Sequence, residues 1–184
     1  MTDKLNAQYT KTAKLLHWLM AFALAGLLAL GFYMSDLPLS PEKLQLYSWH
    51  KWAGVTVFLL LIIRLLWRMT HQPPALPAQM PKLQQFFAHV GHAALYLLML
   101  CIPLSGWLMS SAKGVQTVWF GVLALPDLVG KNKELGALLK DVHESLNLIL
   151  IAIVLGHIAA ALKHHWIDKD STLSRMLPQS SQPD

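Results

Sequence analysis

The sequence predicts an all-α integral membrane protein, a four-helix bundle, on three observations. The 184-residue chain is 54% hydrophobic and only 14% charged, whereas a soluble domain is nearer 25% charged. Its mean hydropathy is +0.41. The apolar residues gather into four stretches, 15–34, 46–67, 86–109 and 142–162. Each is about 20 residues or more, the length a hydrocarbon core of about 30 Å demands of a helix. In lipid only a helix satisfies the backbone N–H and C=O groups of such a segment. The length leaves room for one membrane domain covering residues 1–184.

Residues 1–14 form a short polar lead. Lys11 and Lys14 precede the first stretch as they would a secretion signal, but its apolar run is too long. Ser35, Asp36, Leu37 and Pro38 follow in place of a small-residue cleavage site, so the segment is expected to remain in the mature protein. Residues 35–45 make a turn containing proline. The second stretch then runs to Trp67, and residues 69–85, with Pro73, Pro74, Pro77 and Pro81, form a stiff linker. After the third stretch comes the longest connection, 110–141. Its first half (Val118, Trp119, Phe120, Val122, Leu123, Leu125) is apolar but broken by Gly121 and Pro126, too short to span and suited to lying across the mouth of the bundle. Lys131 to Asp141 is expected to begin the fourth helix above the bilayer. The tail from about residue 178 is Ser, Gln, Pro and Asp and is expected to be disordered. Trp18, Trp49, Trp52, Trp67, Trp107 and Trp166 fall near the predicted boundaries, where amphipathic rings anchor.

An even number of spans places both termini on one side. That side carries nine basic residues (Lys4, Lys11, Lys14, Arg64, Arg68, Lys82, Lys163, Lys169, Arg175) against six on the other (Lys43, Lys51, Lys113, Lys131, Lys133, Lys140). The bias favours cytoplasmic termini. The pI near 9.4 is then a matter of topology and attraction to anionic lipid. Nucleic acid is not an expected partner, because no soluble segment carries a basic patch with interleaved aromatics.

Histidines are rare inside membranes and each needs a reason. His143 and His157 are fourteen residues apart on the fourth stretch, about 21 Å along a helix and within about 40° of one face. One helix therefore carries two imidazoles at two depths. Given the topology, His17 lies near the inner end of helix 1 and His157 near the inner end of helix 4, while His50 and His143 lie near the outer ends of helices 2 and 4. The depths pair His17 with His157 and His50 with His143.

Two trans imidazoles saturate a haem iron and suit it to electron transfer. The lone Cys101 excludes an internal disulfide and a C-x-x-C-H attachment site. The expectation is two stacked haem sites with haem held non-covalently. Ala21, Ala25, Gly31, Gly54, Gly156 and Ala160 beside the ligands would leave space for haem, or would serve close helix packing. His92 and His89 share the depth of His17 and are its rivals; His92 is alternatively a partner for a haem propionate or a quinone headgroup. His71, in the proline linker, is expected to be solvated. Arg64, fourteen residues from His50, sits at the inner level and suits an inner propionate. Lys51 could serve an outer one, or both cations could snorkel. His164, seven residues beyond His157 and beside His165, stands at the interface where quinone chemistry needs a protonatable group, unless it is simply an exposed histidine on a basic segment.

These segments resemble the small bacterial cytochrome b561 family. The matching words are Leu16-His17-Trp18-Leu19, His50-Lys51, Gly91-His92 followed by Leu95-Tyr96-Leu97-Leu98, and Gly156-His157 followed by Ala161 to Asp170, then Thr172-Leu173 and Arg175-Met176. The likeness covers residues about 10 to 178. It implies a four-helix bundle in the bacterial inner membrane with two haem b groups on helices 1, 2 and 4, at His17, His50, His143 and His157. It also implies ubiquinone exchange near the inner haem and, in one branch, oxidation of superoxide at the outer face. The expected function is electron transfer across the membrane to or from ubiquinone. In the superoxide case, Lys51, Lys113, Lys131 and Lys133 would draw the anion in. The alternatives are a haem-bearing anchor subunit that docks an outer-face redox protein and, with Glu144 as its sole intramembrane carboxylate, a metal-ion transporter.

Overall fold

A computed structural model describes residues 8–77 and 79–177, and in it the chain is a membrane four-helix bundle. The helices are α1 (Lys11–Asp36), α2 (Pro41–Thr70), α3 (Lys82–Ala112) and α4 (Lys133–Trp166). They are 26, 30, 31 and 34 residues long, or about 39 to 51 Å, so each outruns the hydrocarbon core. Hydropathy marks only the immersed part of a helix; its true ends are set by capping. Thr10 Oγ1 accepts from Ala13 N at 3.2 Å, Ser40 Oγ accepts from Lys43 N at 3.2 Å with Pro41 behind it, and Asn132 Oδ1 accepts from Leu135 N at 3.0 Å. Those caps explain why α2 starts five residues before the apolar run. They also place the start of α4 within the polar segment expected to begin it.

The closest helix packings are α1 on α2 and α3 on α4; α2 meets α3 more lightly, and α4 has no comparable packing against α1 or α2. The bundle is thus two helical hairpins leaning together. Met20, Val57, Leu61 and Met99 form a core among α1, α2 and α3, and Leu98, Ile102 and Leu150 form a second between α3 and α4. Neither cluster joins α1 to α4. Large apolar side chains such as Phe22 (71% exposed) and Leu155 (62%) point outward, as lipid-facing residues of a membrane bundle do.

The α3–α4 connection adds a feature the apolar pattern did not announce. Val118–Trp119 (β1) and Leu123–Ala124 (β2) pair antiparallel, Trp119 opposite Leu123. The turn places Phe120 and Gly121 at φ 50° and 71°; the second is easy for glycine, while the first is uncommon for a bulky residue. Phe120 is held there between Trp52 and Trp119, each 5.3 Å away by ring centroid. The expected tail, and Lys4 of the basic count, lie outside the described residues.

The tryptophans at the helix ends are more than interfacial anchors, because five indole N–H groups tie connections down. Trp18 donates to Met176 O, Trp52 to Val118 O, Trp67 to Thr10 Oγ1, Trp107 to Pro126 O, and Trp119 to Trp52 O and Thr56 Oγ1.

Candidate functional site

Two groups of histidines occupy two levels of the bundle. At the level nearer the termini, here the terminal end, α1 supplies His17, α4 His157, α3 His92 and α2 Arg64. The His17 and His157 ring centroids are 6.3 Å apart with the planes at 60°. At the opposite end, His50 of α2 and His143 of α4 have centroids 6.4 Å apart and planes at 76°. The two depths read from the sequence are the two levels found in space; His50 faces His143, while His157 faces both His17 and, nearer at 5.5 Å, His92.

The spacing can be tested against a bound metal. An imidazole nitrogen binds a first-row metal at about 2 Å, and it lies about 1 Å from its own ring centroid. Two imidazoles trans on one iron therefore have centroids about 6 Å apart. Both pairs meet that condition, and rings sharing one bonding axis are free to adopt either interplanar angle. Among the described residues no hydrogen bond joins one imidazole to another at either level.

The second nitrogen of each ring sharpens the fit at the opposite end. His143 Nδ1 lies 3.1 Å from Ile102 O and 2.9 Å from Ser105 Oγ. A carbonyl can only accept, so Nδ1 carries the proton and Nε2 is left with its lone pair, the arrangement typical of a metal-ligating histidine. Its partner His50 has a buried Nδ1 with no hydrogen-bond partner among the described residues, an unusual state for a buried polar atom. The backbone around the pair is pared down to match. A Cβ on Gly106 would approach His143 Cε1 to 3.2 Å, and one on Gly31 would approach His50 Cε1 to 3.4 Å.

The terminal end is crowded with positive charge. Arg64 places Nη2 3.2 Å from His17 Nδ1 and donates Nε–H to Tyr96 Oη at 3.2 Å. A guanidinium has no acceptor, so in this arrangement His17 Nδ1 accepts and the ring proton sits on Nε2. Ligation through Nε2 goes with a tautomer change and release of that contact. Arg68, one turn along α2, stands over the Tyr96 ring at 5.7 Å, as Arg64 does. No carboxylate pairs with either arginine among the described residues. His92 is 5.5 Å from His157 by centroid, so His157 has an imidazole on either side, and the rivalry between His17 and His92 carries over into three dimensions.

Of the small residues read as cofactor space or tight packing, Gly54 and Gly156 would each accept a Cβ with no protein atom within 4 Å. They are not close-packing contacts. Together with the absence of a shared apolar cluster between α1 and α4, this leaves the histidine levels as the place where the residues present fit a flat, apolar cofactor.

Two predicted residues lie apart from these groups. Lys51 donates to Ser110 Oγ at 2.9 Å and Val115 O at 3.3 Å, which binds its amine to the α3–α4 connection. His164 contacts Asp170 Oδ2 at 2.7 Å and Asp168 Oδ2 at 3.1 Å through Nδ1. Carboxylates accept, so Nδ1 carries the proton and Nε2 is free. Burial pushes the Asp170 carboxyl up, but hydrogen bonds from Thr172 and His164 outweigh it and hold the group below its usual 3.8. The three ligating atoms fall within 4.8 Å of one another, yet Lys163 already pairs with Asp168 at 2.6 Å. The segment beyond α4 then folds back over α1, with Trp18 Nε1 to Met176 O and Lys14 Nζ to Leu177 O both at 3.0 Å. The buried Arg175 reaches across to Ala75 O at 2.7 Å.

Sequence reasoning missed Tyr96, Ser105, Gly106 and Asp170. Tyr96 is four residues beyond His92, on the same helix face, and Asp170 closes the matching stretch from Ala161, so both carried a signal. Ser105 and Gly106 carried none.

Comparison with known proteins agrees with this architecture. The family model described as "Prokaryotic cytochrome b561" matches residues 8–179. "Cytochrome b561 homolog 2" of Escherichia coli (strain K12) is 36% identical over 173 residues, covering 90% of this chain and 88% of that protein. "Cytochrome b561 homolog 1" of the same organism is 31% identical over 176 residues, 94% and 98% of the two chains. "Probable superoxide oxidase CybB" of Yersinia pestis is 32% identical over 131 residues, 71% and 73%.

Proposed function

The chain belongs to the prokaryotic cytochrome b561 family, and from that premise we propose that it carries two haem b groups and passes single electrons across the bacterial inner membrane to or from ubiquinone. Family membership makes it a multi-pass b-type cytochrome of a bacterial membrane. The number of haems, the quinone and the orientation are our reading. The observation that carries it is the pair of imidazole pairs at two depths, 6.3 and 6.4 Å apart.

In this reading His17 and His157 hold one haem, His50 and His143 the other, and both termini are cytoplasmic. A bound haem b supplies a reversible one-electron centre. The protein's own part is to fix the ligands, exclude water and manage charge and protons. Ile102 O and Ser105 lock the His143 ring. Arg64 offers a charge-assisted partner for a propionate. His92 stands beside His157 for a propionate or a quinone oxygen. At the cytoplasmic rim His164, its Nδ1–H held by Asp170, offers Nε2 as the position that takes a proton from water and passes it to a quinone oxygen, since quinone reduction consumes protons as well as electrons. At the outer face superoxide is the proposed small reductant, on the likeness to the Yersinia pestis protein. Lys113, Lys131 and Lys133 would steer it; Lys51, already bonded within the α3–α4 connection, would contribute its charge only.

A second reading, a haem-bearing anchor for another redox protein, draws on the β1–β2 tip, where Val122 is 88% exposed beside exposed Phe120 and Leu123. The test is the haem content and redox spectrum of the purified protein. Two haems are expected. His143→Ala should lose one and His157→Ala the other, with electrons exchanged with ubiquinone in vesicles. A haem count of one, or loss of the same band in both variants, overturns the pairing. Failure with both quinone and superoxide, with an outer-face protein co-purifying, would establish the anchor instead.

A further inference from the structure

We infer that Arg64, held by Tyr96, makes the terminal-end site the one that binds an electron more tightly, so that the bundle is biased to deliver electrons from the opposite end toward its terminal end. The inference rests on the two-haem reading and concerns residues that surround the ligands.

The iron of a bis-imidazole haem carries one more positive charge when ferric than when ferrous. A neighbouring cation therefore favours the reduced form, and a group that makes the ligand more electron-rich favours the oxidised form. The two levels differ in both respects. At the terminal end the Arg64 guanidinium is 3.2 Å from the His17 ring and is held against Tyr96. Arg68 adds a second cation over the same tyrosine. Among the described residues no carboxylate forms an ion pair with either arginine. At the opposite end the charges within reach of His143 are Glu144 and Lys113, opposite in sign.

The hydrogen bonds act in the same direction. His143 Nδ1–H points at Ile102 O, which draws the ring toward imidazolate and makes it a stronger donor to a ferric iron. The contact of His17 Nδ1 is a guanidinium, which cannot accept a proton; ligation through Nε2 releases that hydrogen bond while Tyr96 keeps the cation beside the ring, and no carbonyl among the described residues takes its place to enrich the ring. Both haems would bring the same two propionates, so those do not separate the sites. Each difference places the higher affinity for an electron at the terminal end, beside His164 and Asp170.

The experiment is an equilibrium redox titration of the full-length, haem-loaded protein, followed by absorbance. Haem content is measured first on the same sample; a count other than two overturns the underlying reading separately from this inference. Two one-electron steps are expected, and His143→Ala should retain only the higher. Arg64→Gln should lower the higher step, reducing the ferrous-to-ferric ratio at fixed potential about tenfold, which is about 59 mV for one electron, and leave the lower step in place. Arg64→Lys should restore most of the shift. If Arg64→Gln keeps two haems and moves the lower step or neither, the inference is overturned. If Arg64→Gln does not retain haem, the exposed Arg68→Gln decides: it must lower the same step by a smaller amount, and no shift overturns the inference.

Discussion

At one end of the bundle an imidazole pair sits beside a guanidinium and a third imidazole; at the other, a pair of nearly the same separation sits beside a backbone carbonyl and a serine hydroxyl. The two separations are alike, 6.3 and 6.4 Å, as they would be if each pair were to hold the same kind of metal centre. The surroundings differ because nothing in that distance constrains them. The separation of the rings bears on what the pairs could hold, and the neighbours of the second ring nitrogen on how a group held there would be tuned.

The largest effect that can break the comparison is at the terminal end, where three histidines stand against two at the other. His17→Ala should remove one of the two haems, whereas His92→Ala should leave two and change only the quinone kinetics. If His17→Ala keeps both and His92→Ala loses one, α3 replaces α1 as the supplier of the ligand. Haem content by pyridine haemochrome decides it.

A smaller effect separates the backbone around the two levels. Gly106→Ala places a Cβ 3.2 Å from His143 Cε1, and overpacking of this kind costs about 1–3 kcal/mol. Haem retention should weaken at the opposite end alone. Gly26→Ala, at an exposed position of α1 with no atom within 4 Å, should keep both haems and change stability by no more than about 1 kcal/mol. Equal loss at both positions would mean that the helices, and not the histidine ring, feel the change.

The smallest effect concerns the rim. Asp170→Asn should slow reoxidation of the reduced protein by quinone several-fold and leave both haem spectra unchanged, because it alters how His164 is held and touches no ligand. Asp170 has a folded pKa below its ordinary 3.8. Its contribution to stability is therefore fully present above 3.8 and is lost as pH falls through the lower folded value. Acid unfolding should accordingly lose part of its pH dependence in the Asn variant, below pH 3.8 and nowhere near neutrality.

Much of this was legible in the sequence, and what was not shares one cause. Four spans, their order and the depth of every histidine follow from run length and a 1.5 Å rise, so His17 with His157 and His50 with His143 could be paired before any coordinates. Rotation of each helix about its axis does not follow from spacing. That is why Arg64 on Tyr96 and His143 on Ser105 emerged only in three dimensions, and why spacing, which offered Lys51 either to an outer propionate or to the interface, did not place it on Ser110 and Val115. The β1–β2 hairpin was hidden for another reason. Its turn uses Phe120-Gly121, and the left-handed phenylalanine is held by Trp52, a contact remote in sequence.

The bonds from Trp52 to Val118 O and from Trp119 to Trp52 O fasten the α3–α4 connection onto α2, at the far end from the proline linker that joins the two helical hairpins. Lipid is as apolar as the side chains, so no hydrophobic force draws those hairpins together inside the bilayer; they are hinged at one end and latched at the other. Synthesis delivers the first hairpin with His17 and His50, and both of their partners, His157 and His143, arrive on the last helix. Each imidazole pair is divided between the two hairpins, so neither is complete until α4 has been made and the latch has closed.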